Sequence, residues 1–194
     1  MHICFIASEY PLPGASFGGI GTFLVSYSKI LIKNGHTVSI VGISKGHQEV
    51  ITTVDGVSIF YSPHSKIRGL AWFFNSKNIS KTIASIHKKN PITIIEAQEA
   101  GFAFVKIPDG IPKVIRMHGG HLFFAEFEGK KINKWKAFQE KFSFRKSDAI
   151  ISTSEFVKNQ TSKHIVFGNK PQATINNPIL MDMFHPSDTS KIIR

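Results

Sequence analysis

Apolar residues follow two alternating patterns along this chain. Short continuous apolar runs alternate with longer stretches whose apolar positions recur every three or four residues. His2 to Ser8 is a short apolar run closed by a loop, which predicts a buried strand. Glu9 to Gly21 is a loop with two prolines and four glycines. From Ile20 to Lys33, the residues Ile20, Phe23, Leu24, Tyr27, Ile30 and Leu31 recur at helical spacing, and Asn34-Gly35 predicts the helix end. Thr37 to Val41 reads as a strand. Val50 to Thr53 and Val57 to Tyr61 flank Asp55-Gly56, the signature of a hairpin turn.

The second half repeats the alternation. Leu70 to His87 reads as a helix, Ile92 to Ala97 as a strand, Glu99 to Val105 as a short helix and Lys113 to Met117 as a strand. Leu122 to Arg145 is a long basic helical stretch with a break expected near Gly129. Ala149 to Thr153 is a strand, and Ser154 to Lys163 a helix with Ser154 as its N-cap. Ala173 to Ile175 is the last strand, and Asn176 to Ser187 an exit segment. Strands that alternate with helices predict an α/β fold, a Rossmann-like, doubly wound, mostly parallel sheet. Parallel strands are covered on both faces, which accounts for their continuous apolar character.

Composition agrees with a folded domain. The 194 residues are 42% hydrophobic and 19% charged, enough apolar material for a core. The single cysteine, Cys4, lies in the first apolar run, so no internal disulfide forms and a cytoplasmic setting is expected. The first residues lack the basic leader and long apolar region of a signal peptide, and no run reaches the length of a membrane span. The net charge of +11 points to an anionic partner: a membrane surface, nucleic acid or a phosphorylated substrate.

Gly18-Gly19-Ile20-Gly21 lies between the first strand and the first helix. Glycine lets backbone approach a ligand, and the helix start presents free N–H groups and a positive dipole end. The segment departs from G-x-G-x-x-G, because the loop before it is too long, and from a P-loop, because no Gly-Lys-Ser/Thr follows. An anion site and a plain surface turn both fit. No histidine, cysteine or carboxylate spacing matches a metal site, so no metal or other cofactor is expected.

Several stretches together resemble one family. They are Glu9-Tyr10-Pro11-Leu12-Pro13 with Gly18-Gly19-Ile20-Gly21, then Asn34-Gly35-His36-Thr37-Val38, Ile95 to Gly101, Arg116-Met117-His118-Gly119-Gly120, Ser147 to Phe156, and Asn177-Pro178-Ile179 through Phe184-His185-Pro186. In order and spacing they resemble the N-terminal half of the family-four retaining glycosyltransferases of the GT-B type. The resemblance implies an acceptor-binding domain over residues 1–186 and the start of an interdomain linker over 187–194. It implies that a donor-binding C-terminal domain with a glutamate pair would follow, so that this chain alone would be inactive as a hexosyl-type transferase. It also implies a nucleotide-sugar donor and a carbohydrate or lipid-linked acceptor.

Residue by residue, Gly18, Gly19 and Gly21 match the family's donor-diphosphate loop. His118 matches the histidine near the transferred sugar, where it would position groups by hydrogen bonding. Glu96, Gln98, Glu99 and Arg116 fall at strand ends and are candidates for the acceptor, with a structural ion pair for Arg116 and a helix-start charge for Glu99 as equal alternatives. His121 and Glu155 are weaker candidates.

The basic stretch contains Lys130, Lys131, Lys134, Lys136, Lys141, Arg145 and Lys146, interleaved with Phe123, Phe124, Phe127, Trp135, Phe138, Phe142 and Phe144. It reads either as a helix lying on the anionic inner face of the plasma membrane or as a core helix with a solvated lysine face. Nucleic acid is disfavoured, since no recognised binding motif is present. A stand-alone binding module, or a partner subunit of a split transferase, is the rival reading. A dinucleotide oxidoreductase is opposed by the missing glycine fingerprint.

Overall fold

The computed structural model describes residues 1–12, 18–44, 46 and 48–179. In chain order its elements are β1 (His2–Ile6), α1 (Gly19–Lys33), β2 (Thr37–Ser44), β3 (Val50–Val54), β4 (Val57–Pro63), α2 (Ala71–Lys89) and β5 (Ile94–Ala97). They continue with β6 (Lys113–Met117), α3 (His121–Phe127), α4 (Lys134–Lys146), β7 (Ala149–Ser152), α5 (Glu155–Ser162) and β8 (Gln172–Thr174). The strands form one eight-stranded sheet in the order β3-β4-β2-β1-β5-β6-β7-β8. Every pairing is parallel except β3 with β4. That hairpin turns through Asp55 and Gly56, at φ 50° and 81°, the two positive values of a type I′ turn.

The period of two along β1 splits the core in two. Cys4 and Ile6 pack with Ile79, Ile83 and Ile86 of α2, Ala137 and Phe144 of α4, and Val157 of α5. Ile3 and Phe5 point the other way, onto Phe23 and Leu24 of α1. The right-handed crossover rule explains the division: the path from β1 to β2 runs one way across the sheet, and those from β4 to β8 run the other. Cys4 is fully buried and its thiol is pushed up to about 12 by desolvation, so it acts as a small hydrophobe.

The structure corrects two sequence expectations. Residues 99–105 form turns, not a helix. Phe102 is fully buried and its N–H donates to Ser143 Oγ of α4, so tertiary packing overrides the local helical period. β2 runs on from Val41 to Ser44, because β4 supplies partners as far as Pro63. The expected break in the stretch from Leu122 to Arg145 falls at Gly129, with φ 62°, and leaves two helices. Asn34 and Ser154 cap α1 and α5 as expected, Ser154 by accepting from the N–H of Val157.

The basic stretch divides accordingly. Lys130 and Lys131 lie in the connection, and Lys130 pairs with Glu128 at 2.7 Å. α4 buries Ala137, Glu140, Ser143 and Phe144. It exposes Trp135 and Phe138 together with Lys134, Lys136, Lys141 and Arg145. Lys146 turns inward to donate to the Val105 carbonyl. Thus α4 is not a core helix with all its aromatics packed inward. Among the described residues no helix is long and apolar enough to cross a membrane. The expected linker at 187–194 and the segment Phe184-His185-Pro186 lie outside the described residues.

Candidate functional site

The carboxyl ends of β1, β5 and β6 sit side by side in the middle of the sheet. Open α/β sheets bind ligands at such edges. A narrow crevice of about 10 Å³ there is lined by Ile6 at the end of β1 and Ala7 after it, Ile20, Phe23 and Leu24 of α1, Gln98 after β5, and Arg116 and His118 at the end of β6. The crevice therefore joins three of the candidate groups: the start of α1, the β5 end and the histidine. A larger hollow of about 500 Å³ lies between α2 and the β3-β4 hairpin, on the opposite flank of the sheet. No candidate residue lines it.

α1 begins without a side-chain cap and without an acid in its first turn. Gly18 and Gly19 are exposed and Gly21 is buried. A Cβ at Gly19 would meet nothing within 4 Å among the described residues, whereas one at Gly18 would lie 3.6 Å from a carboxylate oxygen of Glu9. The N–H groups and dipole of the helix start are thus uncapped by any side chain of the first turn, with one carboxylate close by.

Arg116 and His118 share one side of β6, as alternation along a strand requires. Both rest on Phe23: the Arg116 guanidinium carbon lies 4.9 Å from the ring centre and the His118 ring 4.8 Å. Arg116 is 2% exposed and grips Glu96 on β5 with two bonds, Nε to Oε1 at 2.7 Å and Nη2 to Oε2 at 3.3 Å. Of the two roles open to Arg116, the geometry displays the ion pair.

His118 is only partly buried, and among the described residues neither ring nitrogen has a hydrogen-bond partner. Burial pushes its pKa down to about 4, and the nearby Arg116 cation adds to this. The ring is therefore neutral at pH 7, with one nitrogen to donate and one to accept. Gln98 is likewise half-buried, and its side-chain amide makes no hydrogen bond within the described residues.

Glu99 is buried, and one carboxylate oxygen accepts from the N–H groups of His118 (2.7 Å) and Gly119 (2.8 Å). It fixes the turn that carries His118. Burial raises its pKa to about 7, with Glu140 adding to the rise and the two amides opposing it. Glu140 of α4 accepts from His121 N–H and, at 3.0 Å, from Leu122 N–H, which caps α3. The sequence reading missed Glu140, although it is the one acid in an otherwise basic helix. Gly120 is pinned between these carboxylates: a Cβ there would come within 2.9 Å of both Glu99 and Glu140. His121 accepts from Asn133 N–H, and Glu155 bonds Thr174 and Lys158, so both weaker candidates serve the scaffold. No group of three or more metal-ligating side chains occurs among the described residues.

The two shifted groups oppose one another in stability. Glu99 holds a proton in the folded state between about pH 4.5 and 7, where the unfolded chain has released it, so stability falls as pH rises through that window. His118 stays neutral when folded between about pH 6.5 and 4, where the unfolded chain is protonated, so stability falls as pH drops through that window. Between pH 4.5 and 6.5 the two slopes offset each other. Glu99→Gln removes the first and keeps an oxygen for the two amides. Urea denaturation of Glu99→Gln should show stability rising with pH from 4 to 6.5, by up to about 1.4 kcal/mol per pH unit. A profile parallel to that of the parent would contradict the assignment.

The sequence profile described as Glycosyltransferase Family 4 matches residues 17–182. A search of curated proteins returns no match. Among solved structures, a sucrose-phosphate synthase from Thermosynechococcus elongatus superposes with TM-score 0.75 at 14% identity, over 97% of this chain and 51% of that one. A UGT transferase from Siraitia grosvenorii, solved in complex with UDP, superposes with TM-score 0.57 at 13% identity, over 97% of this chain and 50% of that one. The chain thus spans about half the length of these structures. With the profile covering most of its length and the same fold in these structures, the chain belongs to Glycosyltransferase Family 4.

Proposed function

We propose that this domain is the acceptor-side half of an enzyme that transfers a sugar from a nucleotide-sugar to a carbohydrate or lipid-linked acceptor, with retention of configuration. The observation that carries the proposal is the convergence, on one crevice, of the uncapped α1 start, Gln98 and the neutral His118, whose ring has no partner among the described residues. The N–H groups at Gly18 to Gly21 suit a leaving diphosphate, whose charge grows during transfer. Gln98 and His118 suit sugar hydroxyls, which need paired donors and acceptors. Glu96, Arg116 and Glu99 serve that site by holding its frame. Donor specificity rests with a second α/β domain facing the crevice, reached through the linker after residue 186. The enzyme works in the cytoplasm, peripherally on the inner face of the plasma membrane.

The test is to read the source gene past the codon for Arg194 and to assay its complete product with a panel of nucleotide-sugars. Transfer with retained anomeric configuration, seen by NMR of the product, and none from residues 1–194 alone, is the expected result. Transfer with inversion would discard the retaining mechanism. A gene without a second domain would instead favour a partner subunit of a split transferase.

A further inference from the structure

The α2/α4 flank of the sheet carries an apolar surface that the crevice does not use. Trp72 and Phe73 in the first turn of α2, Phe104 after β5, and Trp135 and Phe138 of α4 form one connected group of rings. Trp135 stacks on Phe104 at 5.6 Å and on Phe138 at 5.8 Å, and meets Trp72 edge-on at 5.6 Å. Phe73, Trp135 and Phe138 are each nearly half exposed, and Leu70 beside them is 50% exposed. Scattered exposed apolar residues need no explanation, but a contiguous group marks an interaction surface.

The charge around the rings has one sign. No acidic residue occurs between Asp55 and Glu96, so α2 and the loop before it carry only cations, among them exposed Lys66, Arg68 and Lys77. α4 exposes Lys134, Lys136 and Lys141, and its sole acid, Glu140, is buried. Asp109, at the far end of the loop after β5, is the nearest exposed carboxylate in sequence to Phe104.

We propose that this surface docks onto an anionic lipid bilayer, with Trp72, Phe73, Trp135 and Phe138 entering the interface and the lysines meeting lipid phosphates. Tryptophan favours the boundary between headgroups and acyl chains, and each nearby cation adds about 1 kcal/mol of attraction to an anionic leaflet. Phe104 and Phe138 lie on the same side of Trp135, with their own ring centres 6.4 Å apart, so the rings gather into one apolar surface. Charge decides the occupant: exposed rings bordered by cations alone match an anionic bilayer, which offers apolar depth and negative phosphates together. The patch also sits at the right place. The first turns of α2 and α4 lie at the carboxyl edge of the sheet, the edge at which the crevice opens, so docking would carry the crevice mouth to the lipid surface. This inference rests on the peripheral location proposed above and is independent of the sugar chemistry.

The chain contains two tryptophans, and both belong to this group. Their fluorescence is therefore a direct probe. Vesicles of mixed phosphatidylglycerol and phosphatidylcholine should shift the emission to the blue, and brominated acyl chains should quench it. Phosphatidylcholine alone should do neither. The double variant Phe73→Ser, Phe138→Ser keeps both tryptophans and alters only half-exposed rings, and it should partition about tenfold more weakly. Lys134→Glu with Lys141→Glu should abolish the preference for anionic lipid. Binding with unchanged emission and equal affinity for the double variant would overturn the aromatic surface yet leave peripheral attachment by charge. No binding to anionic vesicles would overturn both. A blue shift without vesicles that grows with protein concentration would assign the surface to a second copy of the chain, and a shift with single-stranded nucleic acid alone would assign it to that polymer. Either result overturns the proposal.

Discussion

Replacing Arg116 by alanine should cost the domain about 3–5 kcal/mol, the largest single loss expected from any polar side chain in it. The guanidinium lies in the middle of the sheet, 2% exposed, between Glu96 on the neighbouring strand and the rings of Phe23 and Tyr27 on α1. Burial raises the pKa of Glu96, and Arg116 pulls it back. Without Arg116, Glu96 is left as a buried unpaired carboxylate that must take up a proton or open to water. The cost comes from the orphaned partner and not from lost attraction. It follows that the double replacement Arg116→Met, Glu96→Leu should recover most of the stability, because an apolar pair of similar volume carries no unpaired charge. Urea denaturation of the two single variants and the double variant at pH 7 decides the point. If each single variant loses less than about 1 kcal/mol, the pair is solvated in solution and the account of the sheet centre fails.

In the complete enzyme, His118→Ala should lower turnover about a hundredfold or more while far-UV circular dichroism stays unchanged. The expectation rests on three observations: the ring borders the crevice, its nitrogens are unpartnered within the described residues, and its pKa sits near 4. A ring held neutral cannot act as an acid near pH 7, but it donates one hydrogen bond without the desolvation cost of a cation. The turnover profile of the parent should therefore show no inflection from His118 between pH 6 and 8. His118→Asn, which keeps a donor near the same place, should retain more activity than His118→Ala. Equal turnover in parent and alanine variant would remove His118 from the site.

The alternation of elements was legible because parallel strands are covered on both faces and are therefore mostly apolar, with the Glu96–Arg116 pair as an exception. Cys4, Ile6, Val41, Ile95 and Ile115 reveal this in their apolar runs. The turn at Asp55-Gly56 and the cap at Ser154 were legible because their chemistry is local. The turns at 99–105 were not. Ala100, Phe102, Ala103 and Val105 have helical spacing, yet Phe102 and Val105 are drawn into the core by neighbours distant in sequence. The site divides in the same way. His118 and the glycine loop stand in continuous motifs, whereas the Glu96–Arg116 pairing needs two strands in register. Glu140 stands out in its own helix as the lone acid, but its role was not legible there, because its two amide partners lie across a chain reversal.

Two helices begin near the crevice, and they differ in polarity. At the start of α3 and the turn before it, the N–H groups of His118, Gly119, His121 and Leu122 already face two resident carboxylates, Glu99 and Glu140. An approaching phosphate would find the N–H groups there already satisfied. At the start of α1 the first turn holds no acid and no side-chain cap, and a Glu9 carboxylate oxygen lies 3.6 Å from a Cβ built on Gly18. Under the proposed function, a charged leaving group therefore finds unspent N–H groups at the α1 end alone, where Glu9 would have to give way to it, and the neutral part of the substrate would lie toward His118.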